Sequence, residues 1–364
     1  MRPRVLVTGG AGYIGAILTR LLLADGYQVR ILDAMLYGSH SLAALESDPA
    51  VELLVGDTRD ARLVSDAMRE VDAVVHLGEL VGDPACALEP ATTYAINYEA
   101  TRNVAEQARD YGVRRLVYPS SCSVYGATDE VVDEESTLNP VSLYADTKVD
   151  AEAAISLVSP HVETVTLRLA TVYGISPRPR FDLVVNQFAA RGVVERDIAV
   201  HGGDQWRPFV HVADAAQFMK LCLEAPAATV AGQTFNVGSD KQNHTIGQIA
   251  ELVRLQTPDA TVRVEPIEDR RNYRVSFAKA RQELGFRPRH DVTDGIRDVQ
   301  LAVLDGSVAD YRDPRHSNVL SLQGGIPAVQ QRTAIRIDPT PSILRGADPA
   351  GRTATKDAAA QLIS

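Results

Sequence analysis

The chain has 364 residues, 45% of them hydrophobic and 23% charged, with a formal net charge of −10. That is the composition of a folded globular protein, long enough for one large domain or two intimate ones. The acidic balance argues against nucleic acid and anionic membrane as partners. A nucleotide is still compatible with it, because salt screens distant surface charge within ~8–10 Å of a local binding pocket.

The opening Met-Arg-Pro-Arg runs directly into the strand-like Val5-Leu6-Val7. No apolar run approaches the ~20 residues that span a bilayer, so a cytoplasmic protein is expected. Cys86, Cys122 and Cys222 are odd in number and lack ligand spacing. Neither a disulfide framework nor a metal site is expected from them.

Short β-branched runs predict strands at Arg4–Thr8, Gln28–Leu32, Val51–Val55, Ala73–Leu77, Arg115–Pro119 and Thr164–Leu169. Amphipathic stretches between them, Ile14–Ala24, Arg59–Glu70 and Thr92–Tyr111, predict helices. Strictly alternating strands and helices imply βαβ units and a doubly wound parallel α/β sheet. After Tyr173-Gly174 the pattern loosens. Ser176-Pro-Arg-Pro-Arg180 reads as a loop, followed by a helix from Phe181 to Arg191. Strands at Phe209–Val212, Thr234–Val237 and Thr261–Glu265 then mix with helices near Ala213–Leu223, Thr245–Leu255 and Ser276–Leu284. The expected division is a nucleotide-binding part over 1–174 and a smaller α+β C-terminal lobe over 175–316, with some segments returning to the sheet. From Ser317 to the end, Gly, Pro, Thr and Ala without periodicity read as a poorly ordered tail.

Directly after the first strand stands Thr8-Gly-Gly-Ala-Gly-Tyr-Ile-Gly15. Gly9 suits a tight turn, Gly12 lets the backbone approach a pyrophosphate, and Gly15 lets the next helix pack against the strand. The helix N-terminus, with Tyr13 and Ile14, offers N–H donors to phosphate. Asp33 follows 18 residues after Gly15, at the end of the second strand. Strand, glycine turn, helix and carboxylate together predict a Rossmann-like dinucleotide site. The carboxylate favours NAD, since it would repel a 2′-phosphate and no arginine occupies 34–36. Asp57 and Thr58, after the third strand, are placed near the adenine.

The fifth strand ends in Ser120-Ser-Cys-Ser-Val-Tyr-Gly126, and Tyr144-Ala-Asp-Thr-Lys148 starts a helix. Tyr144 and Lys148, four apart, share a helix face. A phenol must ionise about a thousandfold more readily, ~4 kcal/mol, to act as a base at neutral pH. A cation ~5–6 Å away supplies about 3 kcal/mol before screening. Lys148 and a bound nicotinamide ring are the expected sources, and a serine hydroxyl would hydrogen-bond the reacting oxygen.

With these motifs the sequence resembles the extended short-chain dehydrogenases/reductases, in the NAD-dependent epimerase/dehydratase branch acting on nucleotide sugars. The resemblance runs over roughly 4–315 and includes His76-Leu77, Asn97, Val172-Tyr-Gly174 and Arg207-Pro-Phe-Val-His-Val-Ala-Asp214. It implies that Ser121 partners the catalytic Tyr144 and that Lys148 orients the nicotinamide ribose. Leu77 and Asn97 are implied beside the cofactor, Arg207 on a substrate diphosphate with Arg270 or Arg271 as a second arginine, and Thr171 and Asn186 in the substrate pocket. A homodimer through helices flanking the sheet is also implied.

Four positions depart from the family pattern. Dehydratases carry an acidic residue, often Asp-Glu, where this chain has Cys122 and Ser123. Cys122 also lies one position before the cysteine of deoxysugar 3,5-epimerase/reductases and reads as a buried strand-end thiol. Glu79 replaces a small residue and is placed as a candidate extra acid or base near the nicotinamide. Thr171 stands where epimerases often have asparagine. The expected activity is epimerisation of a nucleotide-diphosphate sugar by transient oxidation, at C4, with a one-way 4-keto-sugar reductase, an atypical dehydratase or decarboxylase, and an idle NAD-binding subunit as alternatives.

Overall fold

The computed structural model describes residues 3–266 and 271–327. Seven parallel strands form the central sheet: β1 (Arg4–Thr8), β2 (Gln28–Asp33), β3 (Val51–Val55), β4 (Ala73–His76), β5 (Arg115–Ser121), β6 (Glu163–Leu169) and β7 (Gln233–Val237). Their spatial order is β7-β6-β5-β4-β1-β2-β3. The chain winds outward one way through β1, β2 and β3, then crosses back to β4 and continues the other way. The reversal between β1 and β4 opens a crevice beyond their C-terminal ends, where open α/β sheets bind ligands.

The six strands of the first half lie within two residues of their expected bounds. Thr234–Val237, expected with the later segments, extends the main sheet as its edge strand, with Phe235 and Val237 fully buried against β6. Helices on both faces bury two apolar cores, one around Val5, Val7, Leu18 and Ile31, the other around Leu6, Val64, Val104 and Leu116.

The expected continuous helix Thr92–Tyr111 is broken. Pro90–Tyr94 passes through a wider π-type turn, Ala95–Glu99, into Ala100–Asp110. Such widened turns re-aim a side chain. Here the turn carries Asn97.

The later residues build a smaller α+β lobe whose core contains Tyr173, Phe188, Phe209, Ile249, Val253 and Ile296. The helix expected from Phe181 starts at Val184 and runs to Val194. Short strands Thr171–Tyr173, Trp206–His211 and Asn243–Thr245 join beside the main sheet. Asn272–Val275 pairs with Ala127–Val132, which ties the lobe to the loop after β5. Residues from Ser317 to Pro327, expected as tail, are instead packed: Asn318–Leu322 is helical, with Leu322 and Ile326 buried. Apolar side chains spaced four apart gave this stretch a face to bury that its Gly-rich neighbourhood masked. The remainder of the expected tail lies outside the described residues.

Candidate active site

The crevice is a cleft of about 540 Å³ running from Asp33 and Asp57 to Tyr144 and Arg207. At one end its floor is the glycine turn. Gly9 has φ +68, and a side chain there would meet Leu77 and Gly78 backbone within 3 Å. A Cβ on Gly15 would lie 2.2 Å from the Gly9 carbonyl. Both positions therefore exclude any larger residue. At Gly12, among the described residues, an added Cβ would have only the Gly9 carbonyl oxygen within 4 Å, and Gly12 lines the open cleft. Tyr13, Ile14, Leu77 and Thr58 line the same space.

Asp33 closes the turn, accepting from Ala11 N at 2.9 Å and Met35 N at 2.8 Å. Burial raises its pKa, against the pull of those two N–H donors. Asp57 is tied to Arg59 at 2.7 Å. Asn97 does not reach the cleft as expected. Its amide accepts from Leu80 N at 2.8 Å and donates to Leu80 O at 2.9 Å, fixing the loop after β4. A backbone loop carrying unpaired polar groups required that partner more than the cofactor did.

At the other end, Ser121 stands at the tip of β5 and Tyr144 and Lys148 on the helix Leu143–Leu157, capped by Ser142. All three line the cleft. The Lys148 ammonium is not poised on Tyr144. It is buried with the Glu79 carboxylate in a short ion pair, both side chains at most 3% exposed, and donates to Pro119 O at 2.7 Å. Glu79 also accepts from Thr101 Oγ1 at 3.0 Å and Tyr118 OH at 2.9 Å. Glu79 is thus a charge partner of Lys148 rather than a free acid or base, and it does not turn outward.

The consequence reverses an expectation. The Tyr144 phenol is pushed up, first by burial and then by Glu79, with Cys86 and Asp83 adding and the Ser121 hydroxyl opposing. The charge of the Lys148 ammonium is balanced by the Glu79 carboxylate, which leaves the bound nicotinamide ring as the other expected source of acidification.

Behind Glu79 the chain continues to His76, which contacts Thr101 Oγ1 through Nε2 at 2.9 Å and Thr8 Oγ1 through Nδ1 at 2.7 Å. Because Thr101 donates its proton to Glu79, it must accept from His76 Nε2–H. Nδ1 therefore accepts from Thr8, whose oxygen accepts from Gly78 N. Burial, aided by Lys148, lowers the His76 pKa to about 3, so the ring is neutral at ordinary pH.

Cys122 donates to Arg168 O at 3.2 Å, away from the cleft, and burial raises its pKa. Ser123 lines the cleft, with a buried hydroxyl that has no partner among the described residues. Thr171 and Arg207 line the cleft, as does Arg271, which pairs with Asp83 at 2.6 Å. Arg270 lies outside the described residues. Asn186, expected at the substrate, is buried beneath the wall. It accepts from Gly174 N at 2.8 Å and donates to Arg180 O at 2.8 Å, which fixes the loop between them. Arg178, Asn318 and Val319 are among the cleft residues that sequence reasoning did not assign to the site. Only the arginine-rich Ser176–Arg180 loop pointed toward one of them.

The sequence profile of the NAD dependent epimerase/dehydratase family matches residues 5–238. The chain belongs to this family. A putative UDP-glucose 4-epimerase of Methanocaldococcus jannaschii is 29% identical over 307 residues, covering 81% of this chain and 96% of its own length. A UDP-glucose 4-epimerase of Mycolicibacterium smegmatis is 31% identical, with 80% of this chain and 96% of that one covered. The solved structure of the dTDP-glucose 4,6-dehydratase DesIV from Streptomyces venezuelae, with NAD and TYD bound, superposes with a TM-score of 0.76 at 27% identity, covering 86% of this chain and 99% of that one. This epimerase/dehydratase is accordingly an NAD-dependent enzyme of the extended short-chain dehydrogenase/reductase type. The open edge at Gly12 and the half-buried carboxylate of Asp33 suit the dinucleotide's phosphates and ribose. Among the described residues, no helix is long and apolar enough to cross a membrane.

Proposed function

We propose that the protein is a nucleotide-diphosphate-sugar epimerase that oxidises a ring carbon, C4, and reduces it again from the other face. One observation carries the reading. Ser121, Tyr144 and Lys148 meet at the crevice, while the two positions that hold an acid in dehydratases present a thiol turned into the core and a plain hydroxyl, Ser123. Redox groups are present without the usual machinery for eliminating water.

When bound, NAD supplies the hydride acceptor and then the donor. Tyr144 removes the proton of the C4 hydroxyl as that carbon loses hydride, and Ser121 hydrogen-bonds the oxygen as it becomes a carbonyl. Arg207, with Arg271, holds the diphosphate while the keto-sugar turns in the cleft. Tyr144 then returns the proton, so no second substrate is consumed. Thr171 and Ser123 offer hydroxyls to the sugar. Lys148, anchored on Glu79, holds its ammonium in the cleft wall toward the nicotinamide ribose, 5.9 Å from the Tyr144 ring centre.

The family's pairing through helices flanking the sheet supports a homodimer, and exposed Leu157 and Tyr94 on those helices suit such a contact. Light scattering giving twice the chain mass would agree with it, and a single chain's mass would not.

The test of the activity is incubation of the purified protein, without added NADH, with UDP-, dTDP-, GDP- and CDP-sugars, followed by NMR of the products. Formation of a stereoisomer supports the epimerase and names its sugar. Turnover restricted to keto-sugars with NADH added would replace it with a reductase.

A further inference from the structure

The stretch Ser317–Pro327 runs from Asn318 and Val319, in the cleft wall, to Pro327 beside Arg59. Asn318 N donates to Asp182 Oδ2 at 3.0 Å, and Asn318 Nδ2 to Val81 O at 3.2 Å. Leu322 and Ile326 then pack in one apolar cluster with Leu80, Cys86, Tyr37 and Tyr144. The far end is held twice, by Glu89 Oε1 accepting from Ile326 N at 3.0 Å and by Arg59 Nη2 donating to Pro327 O at 2.8 Å. The same Arg59 is paired with Asp57 beside the cleft. Asn318 and Val319 form part of the cleft wall itself.

A second observation, independent of the first, points to a ligand at this place. Arg178 is 1% exposed and lines the cleft, yet its Nε and Nη2 have no hydrogen-bond partner among the described residues. Its guanidinium lies 4.1 Å over the ring of Tyr37, which packs against the cluster of Leu322 and Ile326. Burial lowers its pKa to about 10, which still leaves a cation at neutral pH. Asp182, Asp33 and Tyr37 favour its charged form and Arg180 opposes it, but none of them accepts from its Nε or Nη2. Asp182 is paired with Arg180 at 3.0 Å, and the oxygens of Asp33 accept from the backbone of Ala11 and Met35. A buried guanidinium with unpartnered N–H groups is unfavourable, and one that faces a cleft suits an anionic ligand that can accept from them.

We propose that residues 317–327 are a strap that closes the NAD cleft and, through Tyr37, holds Arg178 against the diphosphate-bearing half of the dinucleotide. The inference rests on the cleft being the NAD site and is indifferent to which sugar reacts.

The experiment uses the full chain and isotope-labelled NAD, with exchange of bound nucleotide followed by mass spectrometry. Wild-type protein keeps its NAD through desalting. Leu322→Glu, which places a charge in the strap's apolar contact, and Arg178→Gln each speed exchange at least tenfold. In protein stripped of nucleotide, Arg178→Gln weakens ADP-ribose at least tenfold and leaves nicotinamide mononucleotide within twofold. Should Leu322→Glu not fold, Asn318→Ala removes the bond to Val81 without touching the core and is read the same way. The proposal is overturned if exchange stays at the wild-type rate in a variant whose amide hydrogen exchange shows residues 318–322 released. It is equally overturned if Arg178→Gln binds ADP-ribose as tightly as wild type, or loses both fragments alike. Because no sugar is added, a failed epimerase assay leaves these outcomes unaffected.

Discussion

The two ends of the cleft are built by different means. The dinucleotide end is shaped by backbone: a glycine with positive φ, a glycine touching a carbonyl, and a carboxylate at the next strand end, all within 25 residues of one another. The catalytic end is shaped by charge, through Thr8, His76, Glu79, Thr101, Tyr118 and Lys148, drawn from five separate segments. Local geometry follows from spacing along the chain, whereas a charge balance depends on what distant segments bring. The difference teaches that a Tyr-x-x-x-Lys spacing locates a site without stating which way its tyrosine is driven.

Substitutions at the two ends should therefore fail differently. Tyr144→Phe is expected to lower turnover by roughly 10²–10⁴-fold while bound NAD is unchanged, as read by product NMR and by nucleotide released on denaturation. Gly15→Ala should do the reverse in kind: protein purified without NAD and less stable by about 1–3 kcal/mol, because its Cβ would collide with the Gly9 carbonyl. Equal NAD loss in both variants would erase the distinction.

Glu79→Gln sharpens the comparison at the catalytic end. Removing one partner of a buried ion pair should cost about 3–5 kcal/mol of stability in urea denaturation. The freed Lys148 charge should also favour the tyrosinate, so the acid limb of the pH–rate profile moves to lower pH. An unmoved limb would mean that Glu79 does not govern Tyr144.

Two buried histidines, His76 in this network and His211 outside it, give a pH signature. His76 is depressed to about 3 by burial and His211 to about 4. Above the unfolded value near 6.5 both states are neutral and the full stability is present. As pH falls below that, the unfolded chain takes up protons that the folded one refuses, so stability declines toward pH 3. For His76 the loss between pH 7 and pH 4 is about 3 kcal/mol. Denaturation midpoints at the two pH values check it, and His76→Asn should flatten the decline. The smallest effect belongs to Cys122→Ala, about 1 kcal/mol in stability with turnover within twofold, since its thiol faces Arg168 O and not the cleft.

What the chain order revealed, and what it hid, follows the same line. The six strands of the first half, the glycine turn, Asp33, Tyr144 and Lys148 were legible because each rests on a period or a local spacing. Asn97 and Asn186 were read as ligand contacts, but each anchors a loop instead, through backbone partners 17 and 12 residues away. Glu79 was visible as an unusual residue, while its pairing with Lys148 crosses 69 residues. The strap was hidden by its surroundings, since five helical residues in a Gly- and Pro-rich stretch carry too little periodicity to stand out.

The central claim is oxidation and re-reduction at one ring carbon within a single site. Its most direct test is a nucleotide sugar carrying deuterium at C4, incubated with the protein and no added reductant. The account predicts a C4 stereoisomer that retains the deuterium on C4, with none appearing in the solvent. An isomer that has exchanged its C4 label for solvent hydrogen, or that is inverted at another carbon with C4 untouched, would contradict it.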